Sequence, residues 1–126
     1  MTGLIRKLFL KINIYMATYR NKNDDTIFYG GEFKLKISMD TIDGHNMEDI
    51  NFNCTFSTGN TPVVLQKSDM FPVTGDPTTY IAPLNSTVLG RGTLTVKYEV
   101  DIPDTEFTDD NLRHEVVEIP TKIKIK

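Results

Sequence analysis

The stretch that most constrains the fold is residues 89–103, which contain the longest regular alternation of apolar and polar residues in the chain. The apolar positions are Leu94, Val96, Tyr98, Val100 and Ile102. A period of two predicts a β-strand with one buried face and one exposed face. Gly90 and Gly92 precede the alternation and Pro103 ends it, so both ends of the strand are marked. We predict a central core strand in which the Tyr98 hydroxyl needs a hydrogen-bond partner.

Length and composition limit the class of protein. The 126 residues fit one domain, residues 1–126, that is large enough to bury its own core. The net charge of -3 disfavours a nucleic-acid partner, because phosphate binding needs clustered and uncompensated Lys and Arg. Cys54 is the only cysteine, so an internal disulfide is excluded and a small buried hydrophobe is expected there. We find no signal sequence and no run of about 18 apolar residues, and therefore expect no membrane partner.

Further segments show the same alternation and predict further strands. They are residues 8–16, 32–40, 50–57, 63–65, 115–119 and 122–126, with a kink at Pro120 between the last two. In the first segment the apolar parity comprises Leu8, Leu10, Ile12, Ile14 and Met16. The pair Asp43 and Gly44 predicts a tight turn.

These strands, the turn signals between them and the lack of a convincing helix predict an all-β fold. The arrangement that fits is an immunoglobulin-like antiparallel β-sandwich of about six to eight short strands. The cysteines and tryptophan of an antibody domain are absent. If a strand is exchanged between subunits, we expect it to be the one in residues 1–17, which precedes a polar hinge.

Residues 68–86 break the alternation. Three prolines in this region oppose long sheet pairing, so we predict a loop with one short strand around residues 79–82. Apolar members of the loop are expected to pin it to the sandwich, and they are Met70, Phe71, Tyr80 and Ile81.

Residues 104–113, here named the acidic connector, follow the central strand and are expected to be anchored by Phe107. Five carboxylates fall within ten positions, at Asp101, Asp104, Glu106, Asp109 and Asp110. Calcium favours such oxygen-rich loops, but the ligand spacing and the glycine of an EF-hand are missing. We therefore favour a solvated connector and predict no metal and no cofactor.

A second charged feature lies at the end of the chain. Lys122, Lys124 and Lys126, here named the lysine stripe, share one face of the last strand, and Lys34 and Lys36 share a face of another. Lysines on edge strands usually prevent unwanted pairing. In an oligomer the lysine stripe of one copy would instead meet the acidic connector of the next. The candidate contacts with a subunit or partner are Asp104, Glu106, Phe107, Asp109, Asp110, Lys122, Lys124 and Lys126.

No catalytic constellation is visible. His45 and His114 are the only histidines, and each is expected to be an exposed polar residue. With Cys54 in an apolar alternation, which raises a thiol pKa, no nucleophile and base are paired. Residues 90–92 lack the following helix that a phosphate-binding loop requires, so we interpret them as a turn. We predict no catalytic residues and no enzyme.

Several segments together show a family resemblance. They are residues 17–23 (Ala-Thr-Tyr-Arg-Asn-Lys-Asn), 33–39, 89–94 (Leu-Gly-Arg-Gly-Thr-Leu) and 100–109 (Val-Asp-Ile-Pro-Asp-Thr-Glu-Phe-Thr-Asp). In this order they resemble small β-sandwich structural proteins of tailed phages of gut Bacteroides, including crAss-like phages. The resemblance implies a virion structural protein, made in the bacterial host cytoplasm, that forms a dimer or trimer and contacts other virion proteins.

Within that family the short chain, without a fibrous extension, favours a capsid-surface decoration or head-fibre component. A tail-fibre or baseplate adaptor is the alternative. A carbohydrate-binding β-sandwich is the alternative from another class, with exposed aromatic rings as stacking platforms for sugars. The tyrosines considered for that platform are Tyr15, Tyr19, Tyr29 and Tyr80. The lack of tryptophan counts against it.

Overall fold

The computed structural model describes residues 10–17, 20–21 and 24–126. Within these residues the chain forms ten strands, one four-residue α-helix and two 3-10 turns. The strands are β1 (Leu10–Ala17), β2 (Arg20–Asn21), β3 (Thr26–Ile27), β4 (Glu32–Met39), β5 (Asn51–Ser57), β6 (Val63–Gln66), β7 (Phe71–Val73), β8 (Asp76–Asn85), β9 (Gly92–Pro103) and β10 (Leu112–Ile125). The helix is α1 (Ser86–Leu89), and the 3-10 turns are Met47–Asp49 and Lys67–Asp69. The predicted all-β fold is confirmed, although the strands outnumber the six to eight expected.

The strands form two sheets whose order is that of an immunoglobulin-like sandwich. One sheet has the order β1-β4-β8-β7 and the other β2-β3-β10-β9-β5-β6. The first matches strands A, B, E and D of immunoglobulin domains, and β10, β9 and β5 match G, F and C. All strand pairs are antiparallel except β3 with β10, which run parallel.

Strand β9 lies in the middle of its sheet, between β10 and β5, and its predicted apolar face is fully buried. The Tyr98 hydroxyl lies 3.4 Å from the Met39 Sδ on β4, in the opposite sheet. The Phe52 ring packs against Tyr98 at 5.4 Å between centroids and edge-on against Tyr80 at 5.1 Å. Antibody domains join strands B and F by a disulfide. Here the Tyr98–Met39 contact joins the same two strands.

The prediction of a loop over residues 68–86 is wrong, because β7 and β8 form a hairpin there. Gly75 makes the turn with a positive φ of 82°. Pro77 lies beyond the pairing of β8 with β4, and Pro83 lies beyond its pairing with β7. Each proline therefore has a neighbouring strand on one side only, where its missing N–H is tolerated. Met70, Tyr80 and Ile81 are buried as expected, whereas Phe71 is 59% exposed on the edge strand β7.

Strand β1 departs from the expected parity at its end. The register with β4 shifts between Ile14 and Met16, so Tyr15 is an extra, bulged residue. Met16 is therefore exposed, contrary to its predicted place on the apolar face, and Ala17 pairs with Phe33 instead. Leu8 and residues 19, 22 and 23 of the hinge lie outside the described residues. The exchange of residues 1–17 between subunits stays a prediction.

The last strand, β10, is a single kinked strand. After Pro120 its pairing with β9 skips three residues and resumes at Lys124. The Thr121 hydroxyl fills part of this bulge by donating to the Leu94 carbonyl at 2.6 Å. Ile123 and Ile125 are buried on the side that the sequence predicted.

Helix α1 was not predicted, because four residues are too few to show a helical period. Its first turn is capped by Asn85, whose side chain accepts from the Thr87 N–H at 2.9 Å. The buried Ser86 also fixes the bend before β4, since its hydroxyl accepts from the Gly30 N–H at 2.9 Å. Gly90, with a φ of 81°, ends the helix, and only Gly90 and Arg91 separate it from β9, which begins at Gly92.

We predict that Tyr98→Phe lowers the free energy of unfolding by about 1 kcal/mol or less, because a thioether is a weak acceptor. Tyr98→Ala is expected to cost about 3–5 kcal/mol, because it removes a fully buried ring from between the sheets. Urea denaturation of both variants measures the difference. An equal loss of unfolding free energy in the two variants would contradict the view that packing of the ring, rather than the hydroxyl contact, holds the two sheets together.

Candidate functional site

The charged residues predicted as contacts lie at opposite ends of the sandwich. The acidic connector joins β9 to β10 at the end where β10 begins, and the lysine stripe lies where β10 finishes. Ten residues of strand separate Leu112 from Lys122, which corresponds to about 30 Å. This exceeds the Debye length of about 8 Å at physiological ionic strength. The structure therefore does not bring the acidic and basic groups of one chain together.

The loop of the acidic connector is held by its own backbone. The Asp104 N–H donates to the Asn111 carbonyl at 2.9 Å, and the Phe107 N–H donates to the Asp104 carbonyl at 3.1 Å. The Asn111 N–H in turn donates to the Phe107 carbonyl at 2.8 Å, with Asn111 at a φ of 57°. The Asp104 carboxylate accepts from the Glu106 N–H at 3.1 Å. These bonds fix the course of the loop between the two strands.

Arg113, at the start of β10, joins three carboxylates from different parts of the chain. Its guanidinium donates to Asp104 in the connector, to Asp43 at 3.0 Å and to Glu115 at 3.1 Å. Burial opposes the charge of Arg113, but the bonds to Glu115 and Asp104 outweigh it and raise its pKa. The four residues, here named the Arg113 cluster, tie the acidic connector to the tight turn between β4 and β5.

That turn has the predicted form. Asp43 and Gly44 both have a positive φ, of 50° and 81°. Ile42 and His45 exchange two backbone hydrogen bonds of 3.0 and 2.8 Å across them. His45 is thus a half-buried turn residue, and the turn directs Asp43 towards Arg113.

His114 points to the opposite side of β10 from Arg113 and is mostly exposed. Its Nδ1 contacts the Asp101 carboxylate, and its Nε2 lies 3.2 Å from the Asp110 carboxylate. The hydrogen bond and charge of Asp101, followed by those of Asp110, raise the pKa of His114. The two carboxylates therefore favour the protonated form of the imidazole.

The acidic connector divides into paired and unpaired groups. Asp104 and Asp110 face Arg113 and His114, whereas Glu106 and Asp109 are exposed and form no ion pair within the described residues. Phe107 is 47% exposed, so the prediction that it anchors the loop is wrong. Backbone bonds and Arg113 hold the loop instead. Within the described residues, no group of three or more His, Cys, Asp or Glu side chains has the geometry for a metal ion.

The lysine stripe is exposed along one face of β10, as predicted. It lines a groove of about 570 Å³ together with Asp24 and Asp25. The Asp25 carbonyl accepts from the Lys124 N–H at 3.0 Å, which places this turn beside the stripe. The two aspartates reduce the positive charge of this end.

Other candidate groups are scattered or buried. Tyr80 lies in the core, which contradicts its place in a sugar-binding platform. Tyr15 and Tyr29 are exposed on different parts of the surface, and Lys36 and Arg91 lie over their rings at 5.8 and 4.0 Å. Tyr19 lies outside the described residues.

The Cys54 thiol and a groove on the outer face of the larger sheet lie on opposite sides of that sheet. Cys54 is fully buried, and burial raises the pKa of its thiol to about 12. An open groove of about 1040 Å³ crosses the outer face of β10, β9 and β5, where Asn51, Asn53 and Glu99 contribute polar side chains. At neutral pH the thiol is protonated, and it lies on the other side of the sheet from this groove.

Arg113 was missed as a central residue by the sequence reasoning. Its partner Asp43 is 70 positions away, and only the fold brings them together. The available signal was an arginine directly after an acidic run, which indicates an ion pair without naming the partners.

We predict that Arg113→Ala lowers the free energy of unfolding by about 1–3 kcal/mol, because it leaves three neighbouring carboxylates without their cation. Arg113→Lys should lose less, since it keeps the charge but not the planar fork. Lys97→Ala is the matched control, because its 3.8 Å pair with Glu99 is exposed and worth little. Urea denaturation of the three variants tests this. A loss in Arg113→Ala no larger than in Lys97→Ala would contradict it.

Comparisons with protein-family models, with curated proteins and with solved structures found no match. In the part of the chain that the structure describes, no helix has the length and apolar character needed to cross a membrane.

Proposed function

We propose that the protein is a non-enzymatic structural component of a phage virion. More specifically, the protein is proposed to be a capsid-surface decoration or head-fibre subunit. It would be made in the host cytoplasm, self-assemble and contact other virion proteins. The family resemblance supports the virion assignment, and the surface of the sandwich supports a role in binding other proteins.

The observation that carries the proposal is the half-exposed Phe107 on a loop of fixed shape. Glu106 and Asp109 lie beside it without cationic partners in the described chain. A pre-formed loop loses little conformational entropy on binding. Aromatic side chains are enriched at the centres of protein interfaces. The acidic connector thus has the composition of a docking surface for a basic partner.

The lysine stripe of a neighbouring copy is such a partner. Because the two charged surfaces lie at opposite ends of one chain, they meet only between copies, and the arrangement proposed here is head to tail. A head-to-tail contact closes into a ring, such as a trimer, or continues into a fibre. Charge complementarity would set the register of this contact more than its affinity. Asp24 and Asp25 restrict where an acidic loop fits against the stripe.

The proposal that the protein is not an enzyme is supported by the surroundings of its cysteine and its two histidines. The Cys54 thiol is buried and protonated at neutral pH. The imidazole of His114 is occupied by two carboxylates, and His45 belongs to a hydrogen-bonded turn. None of these residues is paired as nucleophile and base.

The two alternative functions differ in how well the surface of the protein suits them. A tail-fibre or baseplate adaptor would use the same docking chemistry at another place in the particle. A carbohydrate-binding role is less favoured, because Tyr80 is buried and cations lie over the rings of Tyr15 and Tyr29.

The charged ends yield a direct test of assembly. K122E/K124E/K126E and E106K/D109K should each weaken self-association at least about tenfold, because each places like charges across the head-to-tail contact. In an equimolar mixture the two variants can alternate, so opposite charges return at every contact of a fibre and at two of the three contacts of a trimer, and association should recover. Sedimentation velocity measures the three samples. Failure of the mixture to recover, with both variants folded, would exclude this contact.

The virion assignment is tested separately. The purified protein should self-associate and co-sediment with phage particles, and labelling on the particle would separate a head position from a tail position. A strictly monomeric protein that is absent from purified virions would refute the assignment.

A further inference from the structure

The edges of the two sheets are unequally protected. Among the described strands, β1, β7, β2 and β6 form the edges. Strands β2, β6 and β7 have only two, four and three residues, and β7 contains Pro72. Short edges and prolines are devices that prevent strands from pairing with another chain. Strand β1 has eight residues and no proline, and its protection is limited to one lysine, Lys11, and the bulge at Tyr15 near its end.

The apolar face of β1 is also incompletely covered. Leu10, Ile12 and Ile14 point towards the core but remain partly exposed. Their partners on β4, which are Met39, Ile37 and Leu35, are essentially inaccessible. The residual exposure of β1 thus lies on the side that has no neighbouring strand in the described structure.

We propose that the free edge of β1 pairs with β1 of a second copy, antiparallel and about a twofold axis. The two four-stranded sheets would then form one continuous eight-stranded sheet. The Tyr15 bulge limits the regular part of β1 to five residues, 10–14. The centre of this part, Ile12, lies on the axis. Leu10 then faces Ile14 of the second copy, and Lys11 faces Asn13 of the second copy.

A second copy fits this edge because the five residues are self-complementary. Apolar residues occupy positions 10, 12 and 14, so an antiparallel copy extends the inward apolar row. The outward positions pair a lysine with a neutral asparagine, and no like charges meet. The contact lies on the side of the sandwich rather than at its charged ends. It is therefore independent of the proposed head-to-tail association.

Disulfide cross-linking of the full chain tests the register. In the proposed pair, position 11 of one copy and position 13 of the other have Cα atoms about 4.5–5.5 Å apart, which a disulfide spans. An equimolar mixture of Lys11→Cys and Asn13→Cys chains, distinguished by mass, should give a mixed disulfide dimer on oxidation. Both side chains are exposed, so the fold should be retained, and the buried Cys54 should not compete.

A mixture of Asn13→Cys and Lys36→Cys chains is the matched control. These positions are paired between β1 and β4 within one chain. In the edge-paired dimer they are two strand spacings apart between copies and offset by two residues along the strands, about 12 Å in all, which is too far for a disulfide. Cross-linking of this control would show strand exchange and overturn the proposal. Absence of the Lys11→Cys and Asn13→Cys dimer would also overturn it.

Two charge variants at one exposed position provide an independent measurement. Asn13→Asp places a carboxylate opposite Lys11 of the second copy, and Asn13→Lys places a like charge there. The twofold axis creates this pair twice in each dimer. The dissociation constant of the dimer should therefore change by about twofold to thirtyfold, decreasing in Asn13→Asp and increasing in Asn13→Lys. Sedimentation equilibrium measures it at low ionic strength, where the pair is not screened, on the K122E/K124E/K126E background that suppresses the head-to-tail contact. Unchanged constants, or shifts in the same direction, would contradict the proposed edge.

Discussion

The contact of Tyr98 with Met39 and Phe52 is the interaction on which the rest of the structure depends. The chain has one cysteine, so its two sheets are held together by packing without a disulfide. Strand β9 carries Tyr98 and lies between β10 and β5, so it fixes both neighbours relative to the opposite sheet. Because β9 and β10 are the two strands that the acidic connector joins, the packing of the core also determines where that loop projects.

The Arg113 cluster fixes the loop at one end of this sandwich. Arg113 links the acidic connector to the turn at Asp43, and backbone hydrogen bonds within the connector fix the shape of its loop. The lysine stripe at the far end of β10 is placed by the bulge after Pro120. One strand thus holds two surfaces of opposite charge too far apart to neutralise each other. The proposed head-to-tail association follows from this separation.

The sequence predicted features that depend on neighbouring residues and missed those that depend on distant ones. The alternation of β9 and the turn at Asp43 and Gly44 are local patterns, and both are confirmed. Apolar character also assigned Phe71 and Phe107 to the interior, but it does not show whether another element covers a side chain, and no element of the described chain covers these two. The prolines of β8 are tolerated only because its neighbours end where they do. The partners of Arg113 likewise come from three separate segments. The sequence therefore predicted which residues form the candidate surface, but not the contacts that hold them in place.

The two proposed contacts between copies respond differently to salt, because salt screens the charged ends and does not weaken the apolar strand edge. The most direct test is the mass of the unmodified protein, measured by sedimentation across ionic strength. At low salt we expect assemblies larger than a dimer. At about 1 M salt, where the Debye length is about 3 Å, they should dissociate to a dimer and go no further. A mass that is independent of salt, or a monomer at every salt concentration, would contradict the account.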